Sequence, residues 1–410
     1  MKTKIQLFAA FLLLAVGALW LTSCSSEDAV QGSGSQADAS LTLTINTGKV
    51  GSRATAWDGT TTTTTSTEEN TINRLTVGIF DASTKKVKTI VELTSATTGG
   101  NSLSVSGNTA TAKIVTTSLA TGDDVLVAAN APAGNFAGVA DETGFNAKTE
   151  GIESAVLSSP DNTKEINTNI PMYGASTLKG SGSAFTASVD VQHQLAKITL
   201  DNLSVDFAQD GPYKSATFKP TEFFLVNVPE NLAFNTAAVN GTNHFHGCNI
   251  ASSDYSSLSW INSLPSNWGS YKEFLATGAL SGSALSGIAS SGTEKYGSKS
   301  FFYVTPSTDV TDDGKMKLII AGDFDANGSG TTEKVFYPVA INATYDAAGN
   351  ATAADGGTVF QVSPNKNYKC TVVIKTKGTT DPTKNLDPQT ATVTVKVTDF
   401  VDASQTTTFE

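Results

Sequence analysis

Apolar residues in this 410-residue chain recur at every second position in short runs, and almost nowhere at the three-to-four spacing of an amphipathic helix. Alternation of that kind sends successive side chains to opposite faces of an extended backbone, so each run has one face to bury and reads as a β-strand. The clearest runs are Leu41-Leu43-Ile45, Leu75-Val77-Ile79, Val125-Val127, Val189-Val191, Ile198-Leu200, Val335-Tyr337-Val339-Ile341, Val372-Ile374 and Val393-Val395-Val397. Segments rich in Gly, Ser, Thr and Asn separate them and supply turns. The expected fold class is mostly β, with short helices near Phe136 to Lys148 and Tyr271 to Leu280 decorating loops.

The N-terminus is different. Lys2 and Lys4 precede an apolar run from Leu7 to Leu21, broken only by Gly17. That is the pattern of a signal peptide, residues 1–23, and it stops short of the roughly 20 apolar residues a membrane span needs. Leu21-Thr22-Ser23-Cys24 resembles the lipobox of bacterial lipoproteins, which implies that Cys24 is lipidated and becomes the new N-terminus. Ser25-Ser26-Glu27-Asp28 resembles the acidic surface-export tag of Bacteroidetes lipoproteins. The expected location is the outer membrane, exposed at the surface.

The whole chain carries 27 Lys and Arg against 38 Asp and Glu, and Lys2 and Lys4 leave with the leader. Phosphate backbones are held by clustered basic residues, and none occur here, so nucleic acid is not an expected partner. Besides Cys24 the cysteines are Cys248 and Cys370, too few for a disulfide scaffold, although one bridge between them stays open. Cohesion must come from a hydrophobic core, and the length suits two domains.

Ser25 to Ser40 is polar and Gly/Ser-rich, as a flexible tether would be, and Thr60 to Thr65 reads as a surface loop. Lys179-Gly180-Ser181-Gly182-Ser183 suggests a boundary. The expected division is a tether and first strand over 24–53, an N-terminal β-sandwich over 54–182, and a C-terminal β-sandwich over 183–410 with a terminal strand segment at 390–410.

Several segments resemble the major fimbrial subunit family of Bacteroidales, the fimbrillins of type V pili. They are Val125 to Pro132, ending in Asn130-Ala131-Pro132; Ile170-Pro171-Met172-Tyr173-Gly174; Leu195-Ala196-Lys197-Ile198, preceded by His193 where the family usually has arginine; Pro364-Asn365-Lys366-Asn367-Tyr368; and the terminal stretch Thr392 to Phe409, with Phe400 in place of a frequent tryptophan. The resemblance implies two transthyretin-like or Greek-key sandwiches in a non-enzymatic surface subunit. It further implies a cut by an arginine-specific protease that releases the first strand, whose groove is then filled by the C-terminal strand of another copy or a related fimbrial subunit. Repetition builds a fimbria that supports adhesion.

The residues meet the requirements of that scheme. Arg53 and Arg74 are the only arginines, and Arg53 lies in the small-residue stretch Gly51-Ser52-Arg53-Ala54-Thr55, whereas Arg74 abuts an expected strand. Processing is therefore expected between Arg53 and Ala54. Leu41, Leu43 and Ile45 would leave with the cleaved peptide, uncovering a groove, and Val393, Val395 and Val397 carry a matching pattern for the incoming strand. The alternative reading of those valines is an internal strand of the second domain. Asp381-Pro382 to Asp387-Pro388 would be the hinge, because proline interrupts strand pairing.

His244-Phe245-His246-Gly247-Cys248 is read as a polar loop rather than a metal site, and Asp323-Phe324-Asp325-Ala326-Asn327-Gly328 as a hairpin turn rather than a calcium loop, since Lys334 stands where a bidentate Glu is required. No metal, cofactor or catalytic constellation is expected, and the three histidines leave a serine hydrolase few bases. The alternatives are a monomeric glycan-binding surface lipoprotein, with Trp57, Trp260 and Trp268 stacking on sugars, or a fimbrial tip adhesin.

Overall fold

The computed structural model describes residues 39–47, 69–152, 169–235, 243–250, 264–270, 274–277, 284–286, 301–385 and 391–399. The first half contributes β1 (Ala39–Thr47), β2 (Arg74–Phe80), β3 (Val87–Thr94), β4 (Ser102–Ser106), β5 (Thr109–Thr116), β6 (Asp124–Ala129), β7 (Thr149–Gly151), β8 (Met172–Thr177), β9 (Lys179–Ser181) and β10 (Ala184–His193). Nine of these form one sheet in the order β3-β2-β6-β8-β10-β1-β5-β4, with β9 added to β10. Its two ends approach each other, β3 lying against β4 and β5. The sheet thus curls around a core that includes Leu41, Leu43, Ile45, Val77, Val127 and Val189.

The second half contributes β11 (Ala196–Val205), β12 (Thr217–Val226), β13 (Val228–Pro229), β14 (Asn231–Ala233), β15 (His244–His246), β16 (Trp268–Ser270), β17 (Leu275–Thr277), β18 (Leu285–Ser286), β19 (Phe301–Val304), β20 (Lys317–Asp325), β21 (Glu333–Ala340), β22 (Thr344–Tyr345), β23 (Ala351–Thr352), β24 (Lys366–Ile374) and β25 (Ala391–Asp399). One sheet runs β19-β11-β24-β25 and another β17-β12-β20-β21, with β18 beside β12. Between them lies an aromatic core in which Phe223 meets Phe302 and Phe218 meets Tyr337 edge to face, at centroid separations of 5.5 and 5.1 Å. Pro220 sits inside β12 where its register against β20 shifts, a place where a missing N–H is tolerated. The chain is mostly β, as its alternating pattern requires.

Three expectations need correction. The glycine-serine stretch at 179–183 is not a linker: β9 folds back on β10, and β10 completes the first sheet. Val189 and Val191 belong to the first core and Leu195 to the second, so the cores change over at Gln194 instead of at 182/183. Ser40 does not belong to a polar tether, because Ala39 and Ser40 already pair with Thr116 and Val115 in β1. Finally, Leu275–Thr277 is a strand on the edge of β12, where pairing outweighs helical propensity.

The other expected helix is one short turn, α1 (Glu142–Asn146), capped by Asp141, whose carboxylate accepts from the Gly144 amide at 2.9 Å. It buries Phe145 against Phe136 and Phe80.

Candidate assembly groove

β1 is a guest in the middle of the first sheet. It runs parallel to β10 from Ser40↔Ala184 to Thr47↔Val191, and antiparallel to β5 from Ala39↔Thr116 to Asn46↔Thr109. Leu41, Leu43 and Ile45 are fully buried, and Ala39 and Thr47 at the ends of the same period are nearly so. The outward side is polar: Asn46 Nδ2 donates to Asp190 at 2.9 Å. Burying three large aliphatics at about 1.5 to 3 kcal/mol each represents roughly 5 to 9 kcal/mol, apart from the two ladders. Removing β1 would leave an apolar slot between β10 and β5 with backbone edges open on both sides.

β25 lies in the second sandwich, antiparallel to β24, with Val393, Val395 and Val397 opposite Val372, Cys370 and Tyr368. Val395 is buried and its two neighbours half-buried against the second core. Unlike β1 it has one strand partner among the described residues, at the end of its sheet. Within one chain, therefore, the two strands cover different cores and do not meet in a sheet. Both are nine residues long, and they match position by position: Ala-Ser-Leu-Thr-Leu-Thr-Ile-Asn-Thr in β1, Ala-Thr-Val-Thr-Val-Lys-Val-Thr-Asp in β25.

The approach to β25 is fastened further than its prolines suggest. Phe336 and Thr379 exchange backbone hydrogen bonds at 2.7 and 3.0 Å, Asp381 accepts from the Thr383 amide, and Lys317 Nζ donates to the Thr383 carbonyl at 3.0 Å. A hinge must therefore start after Thr383, and residues 386–390 lie outside the described residues. So do Cys24, Arg53 and Ala54. Arg74 is described, and it is the first residue of β2, paired with Thr94, its carbonyl accepting from the Asn130 amide at 2.9 Å. A protease needs an extended, unpaired segment, which Arg74 does not offer.

Four of the motifs that suggested a family lie around the place where the two cores join. Asn130 adopts the left-handed conformation that asparagine tolerates (φ 60°) and its side chain ties three segments, donating to the carbonyls of Thr71 and Ile170 and accepting from the Asn73 amide. Gly174 is required by close approach: a Cβ there would fall 2.4 Å from the Asp190 carbonyl oxygen. Asn365, also left-handed, donates its amide to Leu195 O, and Tyr368 is fully buried with its hydroxyl donating to Asp355. His193 spans the junction with Nε2 at 2.9 Å from Glu69 O and Nδ1 at 3.3 Å from Asn365 Oδ1, and burial pushes its pKa below the ordinary value. Beside it Lys197 Nζ and Tyr303 OH both donate to Glu69 Oε1, at 2.9 and 2.6 Å. Glu69 had no signal in the sequence, because one acid near a threonine run says nothing of the lysine it will meet.

The two tempting metal motifs are strand and turn. His246 is buried in β15, its Nδ1 accepting from the Cys248 amide, and Asp325 closes the β20–β21 hairpin by accepting from the amides of Asn327, Ser329 and Gly330. Among the described residues no group of three or more His, Cys, Asp or Glu could hold a metal. Cys248 and Cys370 are separate buried thiols, without a disulfide. Trp268 is half-buried with its ring against His246, and Trp57 and Trp260 lie outside the described residues.

The chain thus has two β-cores, with its first strand held between two others in the sheet of the first. Residues 39–199 match the model of the family described as Major fimbrial subunit protein (FimA), a segment that opens on the first residue of β1. A fimbrilin (fimA) from Porphyromonas gingivalis W83 shares the fold with a TM-score of 0.58 at 18% identity, covering 90% of this chain and 99% of that one. A protein from Bacteroides eggerthii proposed to act in cell adhesion gives 0.59 at 20%, covering 90% and 97%, and another from Parabacteroides distasonis gives 0.57 at 14%, covering 90% and 100%. No curated protein matches the chain. The resemblance to Bacteroidales fimbrial subunits thus holds in sequence over residues 39–199 and in fold over most of the chain.

Proposed function

We propose that this chain is the repeating subunit of a surface fimbria, exported as a lipoprotein through Cys24, cut between Arg53 and Ala54, and joined by strand exchange. The observation that carries the reading is the match between β1 and β25: two nine-residue strands with the same apolar positions, one in a slot between two ladders, the other at the end of a sheet. After the cut, β1 is no longer tied to the body, and residues 391–399 of a neighbouring copy enter between β10 and β5. Val393 replaces Leu41, Val395 replaces Leu43 and Val397 replaces Ile45.

Each replacement is one methylene smaller, so the donor buries roughly 2 to 3 kcal/mol less in all at about 0.8 kcal/mol per methylene. That deficit and the tether act together before processing. A strand on a short flexible link has an effective concentration in the millimolar range, which a free neighbour does not match. Cleavage removes the tether, and dilution of the released peptide then lets the smaller donor hold the slot. Glu69, in the buried pair with Lys197, anchors the shortened chain to the second core after the cut.

Electron microscopy of the purified chain after limited digestion with an arginine-specific protease tests this reading. Fibres are expected, and well-cleaved monomers would contradict it.

A further inference from the structure

β1 and β25 share their inward apolar positions, but the positions that alternate with these differ. They hold Ser40, Thr42, Thr44 and Asn46 in β1, all neutral, and Thr392, Thr394, Lys396 and Thr398 in β25. Lys396 is thus the single charge that the second set brings. It is exposed, and across the β24–β25 ladder it stands directly opposite Lys369. Like charges directly opposite on one face of a sheet repel, so Lys396 gains nothing from that neighbour where it lies.

The slot that holds β1 offers a different neighbour. On the outward side of its walls, β10 sets Ser188 opposite Thr44 and Asp190 opposite Asn46, while β5 sets Lys113 opposite Thr42 and Thr111 opposite Thr44. Asp190 is exposed, and its carboxylate accepts from Asn46 Nδ2 at 2.9 Å, a bond that departs with β1. We propose that Lys396 of the incoming copy pairs with Asp190 of the receiving copy, an ion pair between subunits that forms only on joining and sets the register of the donor strand. This inference rests on the strand-exchange reading above and adds to it what selects the partner and its alignment.

With Val395 in the place of Leu43, Lys396 takes the place of Thr44, beside Ser188 and one step along the outward face from Asp190. Neighbouring strands lie about 4.8 Å apart and two residues advance about 6.6 Å, so the two Cβ atoms are roughly 8 Å apart, a gap that a lysine and a carboxylate span together. Lys113 stands one step the other way on the opposite wall and turns the ammonium toward Asp190. A slip by two residues would keep the valines inward, so the apolar pattern does not by itself fix the register. Sliding Val395 to the place of Leu41 sets Lys396 directly opposite Lys113, like charge on like charge. The reverse slip puts Ala391 in the place of Leu41 and leaves that part of the slot unfilled. The register that fills the slot is therefore the one in which Lys396 meets Asp190 without facing Lys113.

The test is the rate of ladder growth on unboiled gels after arginine-specific cleavage, for the full chain carrying Asp190→Lys, Lys396→Asp or both. Each single reversal sets like charges together and should slow growth about threefold or more at low salt, and the double variant should return to within about twofold of wild type. At about 0.5 M salt the defect of the single variants should shrink, because exposed charges are then screened. Asp190→Asn and Lys396→Gln remove a charge without reversing it and should slow growth less. Both side chains are exposed, so every variant should unfold at the parent's midpoint. Single reversals that grow like wild type, or a double variant as slow as the singles, would overturn the pair and leave strand exchange standing. Absence of ladders from cleaved wild type would instead refute strand exchange, and the pair with it.

Discussion

Lys197 Nζ donates to Glu69 Oε1 across 2.9 Å with both side chains shielded from water, the lysine lying also 4.0 Å from the centre of the Phe301 ring. Glu69 precedes β2 and Lys197 lies in β11 at the start of the second core, so this pair pins one to the other. A buried pair adds modest stability when made, but breaking it leaves a charge without a partner. Glu69→Ala is therefore expected to destabilise the chain by about 3 to 5 kcal/mol. Denaturant unfolding measures it, and a loss below about 1 kcal/mol would mean that the pair is not buried as described.

Lys317 gives a pH dependence. Burial, reinforced by the charge of Lys315, lowers its pKa from 10.5 to about 8. Between those values the unfolded chain holds a proton that the folded chain has lost, so stability should rise with pH from about 8 toward 10.5, by at most on the order of 1 kcal/mol per pH unit. In Lys317→Met that contribution disappears. The readout is the difference between the two proteins' unfolding free energies across the window, and parallel profiles would contradict it.

On the proposed reading Cys24 carries the lipid, fifteen residues before Ala39, the first residue of β1. Cys24→Ala should abolish lipid attachment and surface delivery while the purified protein unfolds at the same midpoint as the parent. Unchanged surface labelling of the variant would count against Cys24 as the anchor.

Deleting residues 390–410 removes β25. The truncated chain should be exported and cut yet not join, and it should also lose stability, because Val395 is buried against Cys370 in its own second core. Polymer ladders from the truncated chain equal to those of the parent would exclude β25 as the donor.

How much of this was legible depends on what each residue needed. Strands whose inward residues are large announced themselves: β1, β10, β24 and β25 follow the expected alternation, and β2 and β6 carry the expected apolar positions but are buried on both faces. β5 did not, since its inward positions are Ala110, Ala112 and Ile114 among threonine and lysine, and small residues give a weak signal. β12 was hidden by Pro220 and by the continuous run Phe223 to Val226, buried throughout. The domain boundary was misplaced because glycine and serine serve a tight hairpin as readily as a linker. Glu69 was illegible for another reason: what matters is the tertiary neighbour it gains, and local pattern does not encode that. The slot that holds β1 was half legible: β1 and one wall, β10, showed in their alternation, and the other wall, β5, did not.

The central claim is that the tether of β1 is the lock, and polymer formation by arginine variants tests it most directly. Wild type, Arg53→Ala, Arg74→Ala and Leu43→Asp are treated with an arginine-specific protease, with untreated controls, and run on gels without boiling. Wild type and Arg74→Ala should give ladders only after treatment, Arg53→Ala should stay monomeric, and Leu43→Asp, whose plug is weakened by a charge in the apolar slot, should give short polymers without cleavage. Ladders from Arg53→Ala equal to wild type, or failure of Arg74→Ala alone, would contradict the account.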